Sequence, residues 1–397
     1  MEKILKQVEK KVLAVYKKVN PSTHKIESND IFKYHQKFRE SLFRDKLKFP
    51  LQMFDSAELL DFGSGTGEQD LFYAKWGANI TGVEMNNLSV DRCKKLFKKY
   101  KLTEKLKIHN ISLFDFKPNK KFDIVVSNGV LHHTNDQRAG FKKLVSYLRP
   151  RGFVFISVGN KAGAFQRNLQ RMILYKLAKS EEEIVTLAKF LFKEHIDRAV
   201  KYGKRSADSI IYDSYVVPKA DNASVEEILK WFDENNIKFY SSWPPLQFPF
   251  PLVDSPRNDI IDYTEKKYRK LLSFSEYFWM TANATDKEII NEYHKDLLPM
   301  NNLNKITDLI KDIGPDSVIK LEKFKEIENL DFNFNLERIY KKEINKISNF
   351  FKELKGLIYL LKNTKDIKKI KKEIDKNQFL FNGYCGQGDI YYMGYKE

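Results

Sequence analysis

The chain has 397 residues, 42% of them hydrophobic and 14% aromatic, which is ample for a packed core and excludes global disorder. Two cysteines, Cys93 and Cys385, exclude a disulfide framework or a cysteine-built zinc cluster and read as reduced thiols of a cytoplasmic protein. The net charge of +17 invites a nucleic-acid partner, but lysine spread along the chain beside many Asn, Ile and Phe reads as compositional bias, not as a phosphate-binding face.

Residues 1 to about 20 place Ile4, Val8, Val12, Leu13 and Tyr16 on one helical face with lysines opposite, and Pro21-Ser22-Thr23 ends the run. The N-terminus is charged throughout and no apolar run reaches the roughly 18 residues of a membrane span, so neither a signal peptide nor a span is expected. A second helix is expected over 30–46, with Ile31, Phe32, Phe38, Leu42 and Phe43 on its apolar side.

The most informative stretch is Glu58 to Glu84. An apolar strand (Leu59, Leu60, Phe62) stops at Gly63, Gly65 and Gly67, a helical segment follows, and a second strand through Ile80 and Val83 ends on Glu84. Strand, glycine turn, helix and strand with a terminal carboxylate is the layout of a nucleotide-binding unit. Glycines let the backbone turn sharply and approach a ligand closely, and the carboxylate can accept from both hydroxyls of a ribose. The spacing is G-S-G-T-G, not G-x-G-x-x-G, and Asp61 and Glu68 put negative charge where a pyrophosphate wants bare amides. A cationic or zwitterionic ligand suits that turn better.

Downstream, a helix is expected over 89–100 with Asn86 or Asn87 as cap, a short strand over 105–109, and a buried parallel strand at Phe122–Ser127. The segment Asn128-Gly129-Val130-Leu131-His132-His133 follows, then a helix over 141–148, the turn Arg149-Pro150-Arg151-Gly152 and a fifth strand over 153–158. Residues 166–202 are strongly helical and amphipathic. Ser224 and Glu227 form a capping box for a helix over 225–235, with a strand over 237–243 behind it. Pro244, Pro245, Pro249, Pro251 and Pro256 open an extended stretch, and lysine-rich helices are expected over 317–328 and 336–372. Asp389 to Lys396 alternates as a last strand.

These features in this order resemble the class I S-adenosylmethionine-dependent methyltransferases: D-F-G-S-G-T-G, Glu84 at the second strand tip, N-G-V-L-H-H after the fourth strand, and R-P-x-G before the fifth. The resemblance spans about residues 58–160. It implies an α/β fold: a Rossmann-like seven-stranded, mostly parallel sheet with an antiparallel last strand, plus a helical N-terminal lid and an inserted cap. The implied division is a lid at 1–50, a core at 51–243, a helical insertion at 244–380 and the last strand at 381–397. S-adenosyl-L-methionine is the implied cofactor, held by Asp61, Gly63, Ser64, Gly65, Gly67, Glu84, Met85, Ser112, Leu113 and Asn128. Ser112 is chosen for the adenine edge because the usual Gly-Asp pair is missing there, with Asp115 as second choice.

His132 and His133 are the candidate bases, since a neutral imidazole is available near pH 7. One is expected to face the crevice while the other ties down the scaffold. Tyr34, His35 and Arg39 are candidate lid residues, and Tyr212, Asp213 and Tyr215 candidate walls of a substrate pocket. No third ligand accompanies the two histidines, so no metal is expected. The partner implied is a small-molecule methyl acceptor, with a homo-oligomer compatible. The alternatives are an RNA- or protein-directed methyltransferase and a non-catalytic cofactor-binding subunit.

Overall fold

The structure is a computed structural model that describes residues 2–19, 28–218, 220–246, 271–282, 336–382 and 386–397. Seven strands form one sheet: β1 (Glu58–Phe62), β2 (Asn79–Val83), β3 (Leu106–His109), β4 (Phe122–Asn128), β5 (Leu148–Gly159), β6 (Ile237–Trp243) and β7 (Asp389–Lys396). Their order is β3-β2-β1-β4-β5-β7-β6. The first five are parallel, and β7 inserts antiparallel between β5 and β6. The order reverses between β1 and β4, so the crevice for a ligand opens beyond the carboxyl ends of those two strands.

Alternation along the strands builds two cores. Leu60 and Phe62 of β1 and Val125 of β4 face one side, where Phe141, Leu144, Trp231 and Phe232 cover them. Leu59, Ile124, Val126 and Phe155 face the other, under Phe43, Phe54, Phe72 and Tyr73. Phe155 is fully buried, so truncation to alanine costs about 3–5 kcal/mol.

The helices needed for the site are α1 (Glu2–Val19), α2 (Asn29–Glu40), α3 (Glu68–Lys75), α4 (Asn87–Lys99), α5 (Gln137–Ser146), α6 (Phe165–Leu177), α7 (Glu181–Leu191), α8 (Lys193–Gly203), α9 (Ala207–Ile211) and α10 (Val225–Glu234). Residues 41–46 continue α2 as a π-helical turn. Helix α5 starts at Gln137, four residues before the position expected from the apolar pattern, because the Asp136 side chain accepts from the Ala139 amide at 2.9 Å. The Ser224–Glu227 capping box forms at the start of α10.

The helical stretch expected over 166–202 consists of three helices. Lys179 and Ser180 break it: the Ser180 hydroxyl caps Glu183, whose carboxylate accepts from the Lys179 amide at 2.7 Å. A second break falls at Phe192. These helices share a third hydrophobic cluster (Ile173, Leu191, Tyr215) with Phe350, Leu357, Ile370 and Phe381. The cap is therefore assembled from two stretches far apart in sequence. Residues 336–372, expected as one helical run, form Leu336–Asn363 and Ile367–Lys376, with Asp366 capping the second. The prolines at 249, 251 and 256, the helix expected at 317–328, and Cys385 lie outside the described residues.

Candidate functional site

A cavity of about 330 Å³ opens at the strand tips, walled by the β1, β2 and β4 ends, the inner face of α1, and the start of α6. That size lies in the range of small-ligand sites.

The glycine turn shapes one end. Gly63, Gly65 and Gly67 have φ of +87°, +54° and +81°, conformations that disfavour a side chain. A Cβ on Gly63 would fall 2.3 Å from Val130 Cγ2, and one on Gly67 2.4 Å from Cys93 Sγ. Gly67 thus serves the packing of α4 and does not line the cavity. The turn closes on Glu84: Gly65 N–H donates to Oε2 at 2.9 Å and Asn86 N–H to Oε1 at 2.7 Å. Burial raises the Glu84 carboxyl, and the amides of Asn86, Gly65 and Met85 pull it back. Each oxygen keeps a further lone pair for another donor. Asn86 also caps α4, accepting from Leu88 N–H at 3.1 Å.

Below the turn, Asp61 and Asp70 form a buried carboxyl pair on the sheet face that carries Tyr73. Burial raises both, Asp70 to about 6, and the Asp70 charge pushes Asp61 further. Asp61 reaches the cavity wall, and its buried Oδ1 has no hydrogen-bond partner among the described residues, a costly state for a buried oxygen. Arg39, 8% exposed, lies behind this pair and against Tyr391. It does not line the cavity, because it lies with Phe32 on the buried side of α2. On the opposite wall, Met85, Ser112 and Leu113 reach the cavity, and the Ser112 hydroxyl donates to Glu9 Oε1 of α1 at 2.7 Å. Asp115 is exposed and away from it. Asn128 lines the floor with its amide on Gln69 Oε1.

The other end carries imidazoles and arginines. His132 and His133 both line the cavity, their ring centres 4.2 Å apart. Burial, then the neighbouring His133, pushes His132 down to about 3, so it stays neutral. Its backbone carbonyl accepts from Asp221 N–H at 2.8 Å. His133 sits edge-on to Tyr16, ring centres 5.8 Å apart, and the Tyr16 hydroxyl donates to Asp213 Oδ1 at 3.5 Å. Burial alone would raise the Asp213 carboxyl, but Arg205 and His133 outweigh it and hold it below the usual range. Arg205 grips Asp213 Oδ2 through both terminal nitrogens at 3.0 Å.

Of the candidate substrate residues, Asp213 and its neighbour Ser214 reach the cavity, while Tyr34, His35, Tyr212 and Tyr215 do not. Tyr215 is fully buried and donates to Gln170 Oε1 at 2.8 Å. Tyr34 lies on the surface, its hydroxyl on the Tyr202 carbonyl at 3.1 Å. The π-helical turn at Tyr212–Val216 explains the exchange, since it rotates residues 213 and 214 inward and 215 into the cap core. Glu9, Tyr16, Arg167, Arg171 and Arg205 are lining residues that pattern reading did not single out. Tyr16 was legible only as one more apolar position on α1. Among the described residues no cluster of three or more His, Cys, Asp or Glu could hold a metal ion, and no helix is long and apolar enough to cross a membrane.

Residues 34–197 match a family described as a methyltransferase domain. Among curated proteins, the ubiquinone biosynthesis O-methyltransferase of Pelagibacter ubique is 27% identical over 124 residues, which cover 31% of this chain and 51% of that one. The protein of the same description from Coxiella burnetii is 29% identical over 103 residues, 26% of this chain and 44% of its own. The chain thus spans about half the length of these curated relatives. Among solved structures, PKMT2 from Rickettsia typhi aligns over 58% of this chain and 51% of its own at 16% identity and a TM-score of 0.45. Magnesium protoporphyrin IX methyltransferase from Synechocystis, solved with bound S-adenosylmethionine, aligns over 53% and 72% at 14% identity and a TM-score of 0.33.

Proposed function

We propose that this chain, which carries a class I S-adenosylmethionine-dependent methyltransferase domain across residues 34–197, transfers a methyl group from S-adenosylmethionine to a small-molecule acceptor. The observation that carries this reading is Glu84, fixed at the β2 tip by the Gly65 and Asn86 amides and lining one cavity with Asp61 and Glu68. Glu84 would accept from the ribose hydroxyls, and Asp61 with Glu68 would receive the ammonium of the amino-acid tail. Met85, Ser112 and Leu113 would flank the adenine, with Gly63, Ser64, Gly65 and Asn128 around the tail. The Ser112–Glu9 bond lets α1 close over that end and exclude water.

When bound, S-adenosylmethionine supplies an activated methyl group: the acceptor's lone pair forms the new bond to carbon as the carbon–sulfur bond breaks and sulfur keeps its electrons. The chain's own contribution is alignment, which is worth roughly 7–11 kcal/mol when reactants are well oriented. An acceptor that must lose a proton gives it to His133. Asp213 stabilises the imidazolium that results, and Tyr16 and Arg205 hold Asp213 in place. His132 stays neutral and fixes the loop through its carbonyl. In this reading residues 1–50 are the lid, 51–243 and 381–397 the core, and 244–380 an insertion whose late helices join α6–α9 in the cap. The location read from the two-cysteine composition is cytoplasmic.

Calorimetric titration of the full chain with S-adenosylhomocysteine tests the reading. Saturable one-site binding is expected; no heat of binding at millimolar ligand would refute it.

A further inference from the structure

Resting on the methyl-transfer reading, we propose that the acceptor is a small anion whose carboxylate, phosphate or sulfonate group is held at the far end of the cavity by Arg171 together with Arg167. Three arginines line that end, Arg167 and Arg171 from α6 and Arg205 from the link between α8 and α9. Two carboxylates answer them: Asp213 lies 3.0 Å from Arg205, and Asp389 3.5 Å from Arg167. Among the described residues no carboxylate pairs with Arg171, whose guanidinium lies 5.4 Å from the ring centre of Tyr175. Arg167 and Arg171 are four residues apart, so they stand on one face of α6, one turn after the other. Asn168 on the same turn and Asn222 opposite add amide groups to that wall.

A guanidinium is a planar fork whose paired N–H groups match a carboxylate or phosphate edge. Held in a partly closed wall without a counter-charge, it is stabilised by whatever anion completes it. The sign of charge also differs along the cavity. Asp61, Glu68 and Glu84 stand at the glycine-turn end, whereas among the described residues arginines exceed carboxylates by one at the other end. A donor with a cationic centre and an acceptor with an anionic group are thereby sorted to opposite ends, and the wrong order is penalised by like charges. The acceptor's nucleophilic atom then falls between the Arg171 wall and the sulfur, on the His133 side. A merely solvated arginine would share the exposure of Arg171 but would not affect acceptor affinity, which makes the proposal testable.

The full chain is supplied with methyl-labelled S-adenosylmethionine and a cell extract freed of macromolecules and divided on an anion exchanger, with and without prior phosphatase treatment. Label is expected in the retained fraction. Loss of label after phosphatase identifies a phosphate ester, and persistence identifies a carboxylate or sulfonate. Arg171→Gln should raise KM for the retained acceptor at least tenfold and Arg171→Lys less, while S-adenosylhomocysteine affinity stays within twofold. Label confined to the unretained fraction, an unchanged KM in Arg171→Gln, or no labelled product from a chain that binds S-adenosylhomocysteine would overturn the proposal. Absence of S-adenosylhomocysteine binding itself would instead refute the methyl-transfer reading.

Discussion

The two ends of the cavity are built by different means. At the glycine-turn end the central acid sits at a strand tip and is held by backbone amides: Gly65 and Asn86 hold Glu84. At the arginine end the groups come from α1, α6, the turn after α9, and β7, and their partners are side chains: Tyr16 and Arg205 on Asp213, Asp389 on Arg167. Backbone partners survive most substitutions, so the first end can stay constant while the second is free to vary with the acceptor. The same contrast decides what pattern reading can find.

The first end was legible because a glycine turn and a strand-terminal acid carry their chemistry in local order. The strands were legible from short apolar runs, whereas the antiparallel pairing of β7 was implied only by the family resemblance, because pairing direction is not a local signal. The second end depends on tertiary contact. Tyr16 reads as an apolar residue of an amphipathic helix until α1 is seen lying across the cavity. Asp213 and Tyr215 both belong to one candidate stretch, but only the π-helical turn decides that the acid faces in and the tyrosine faces the cap. Arg205 meets Asp213 across α9, a contact that no periodicity foretells.

Substitutions can break the contrast between the two ends or sharpen it. The largest effect is expected from Gly65→Arg, which fills a turn held at φ +54° against Glu84: S-adenosylhomocysteine binding should be abolished in a chain whose circular dichroism is unchanged, and retained calorimetric affinity would dissolve the first end as a site. His133→Ala should slow turnover by about 10²–10⁴-fold with cofactor affinity within twofold, as loss of a positioned base does. An undiminished rate on the retained acceptor would return His133 to a packing role. Glu84→Ala should weaken S-adenosylhomocysteine by about 1.5–3 kcal/mol, the range for hydrogen bonds to a charged group, and an unaltered dissociation constant would remove its ribose role.

A smaller effect separates the cap from the site. Burial lowers His195 to about 4, so the folded chain resists protonating it. Between its unfolded value near 6.5 and about 4 the unfolded chain binds more protons, so this contribution to stability is complete above the window and lost as pH falls through it. Between pH 7 and pH 5 the wild type should therefore lose about 2 kcal/mol more than His195→Gln, following 1.36 kcal/mol per pH unit below the unfolded value. Urea unfolding of both chains at the two pH values checks this; parallel losses would show that His195 is not held neutral. The difference should leave S-adenosylhomocysteine affinity at pH 7 untouched, because His195 lines the cap core and not the cavity.

The central claim is that one cavity holds a sulfonium nucleoside at the carboxylate end and its acceptor at the arginine end. A crystal structure of the full chain grown with S-adenosylhomocysteine tests it most directly. The account predicts the ribose hydroxyls within hydrogen-bonding distance of both Glu84 oxygens, with the sulfur turned toward His133. Density for the nucleoside elsewhere on the chain, or in this cavity with its sugar remote from Glu84, would contradict it.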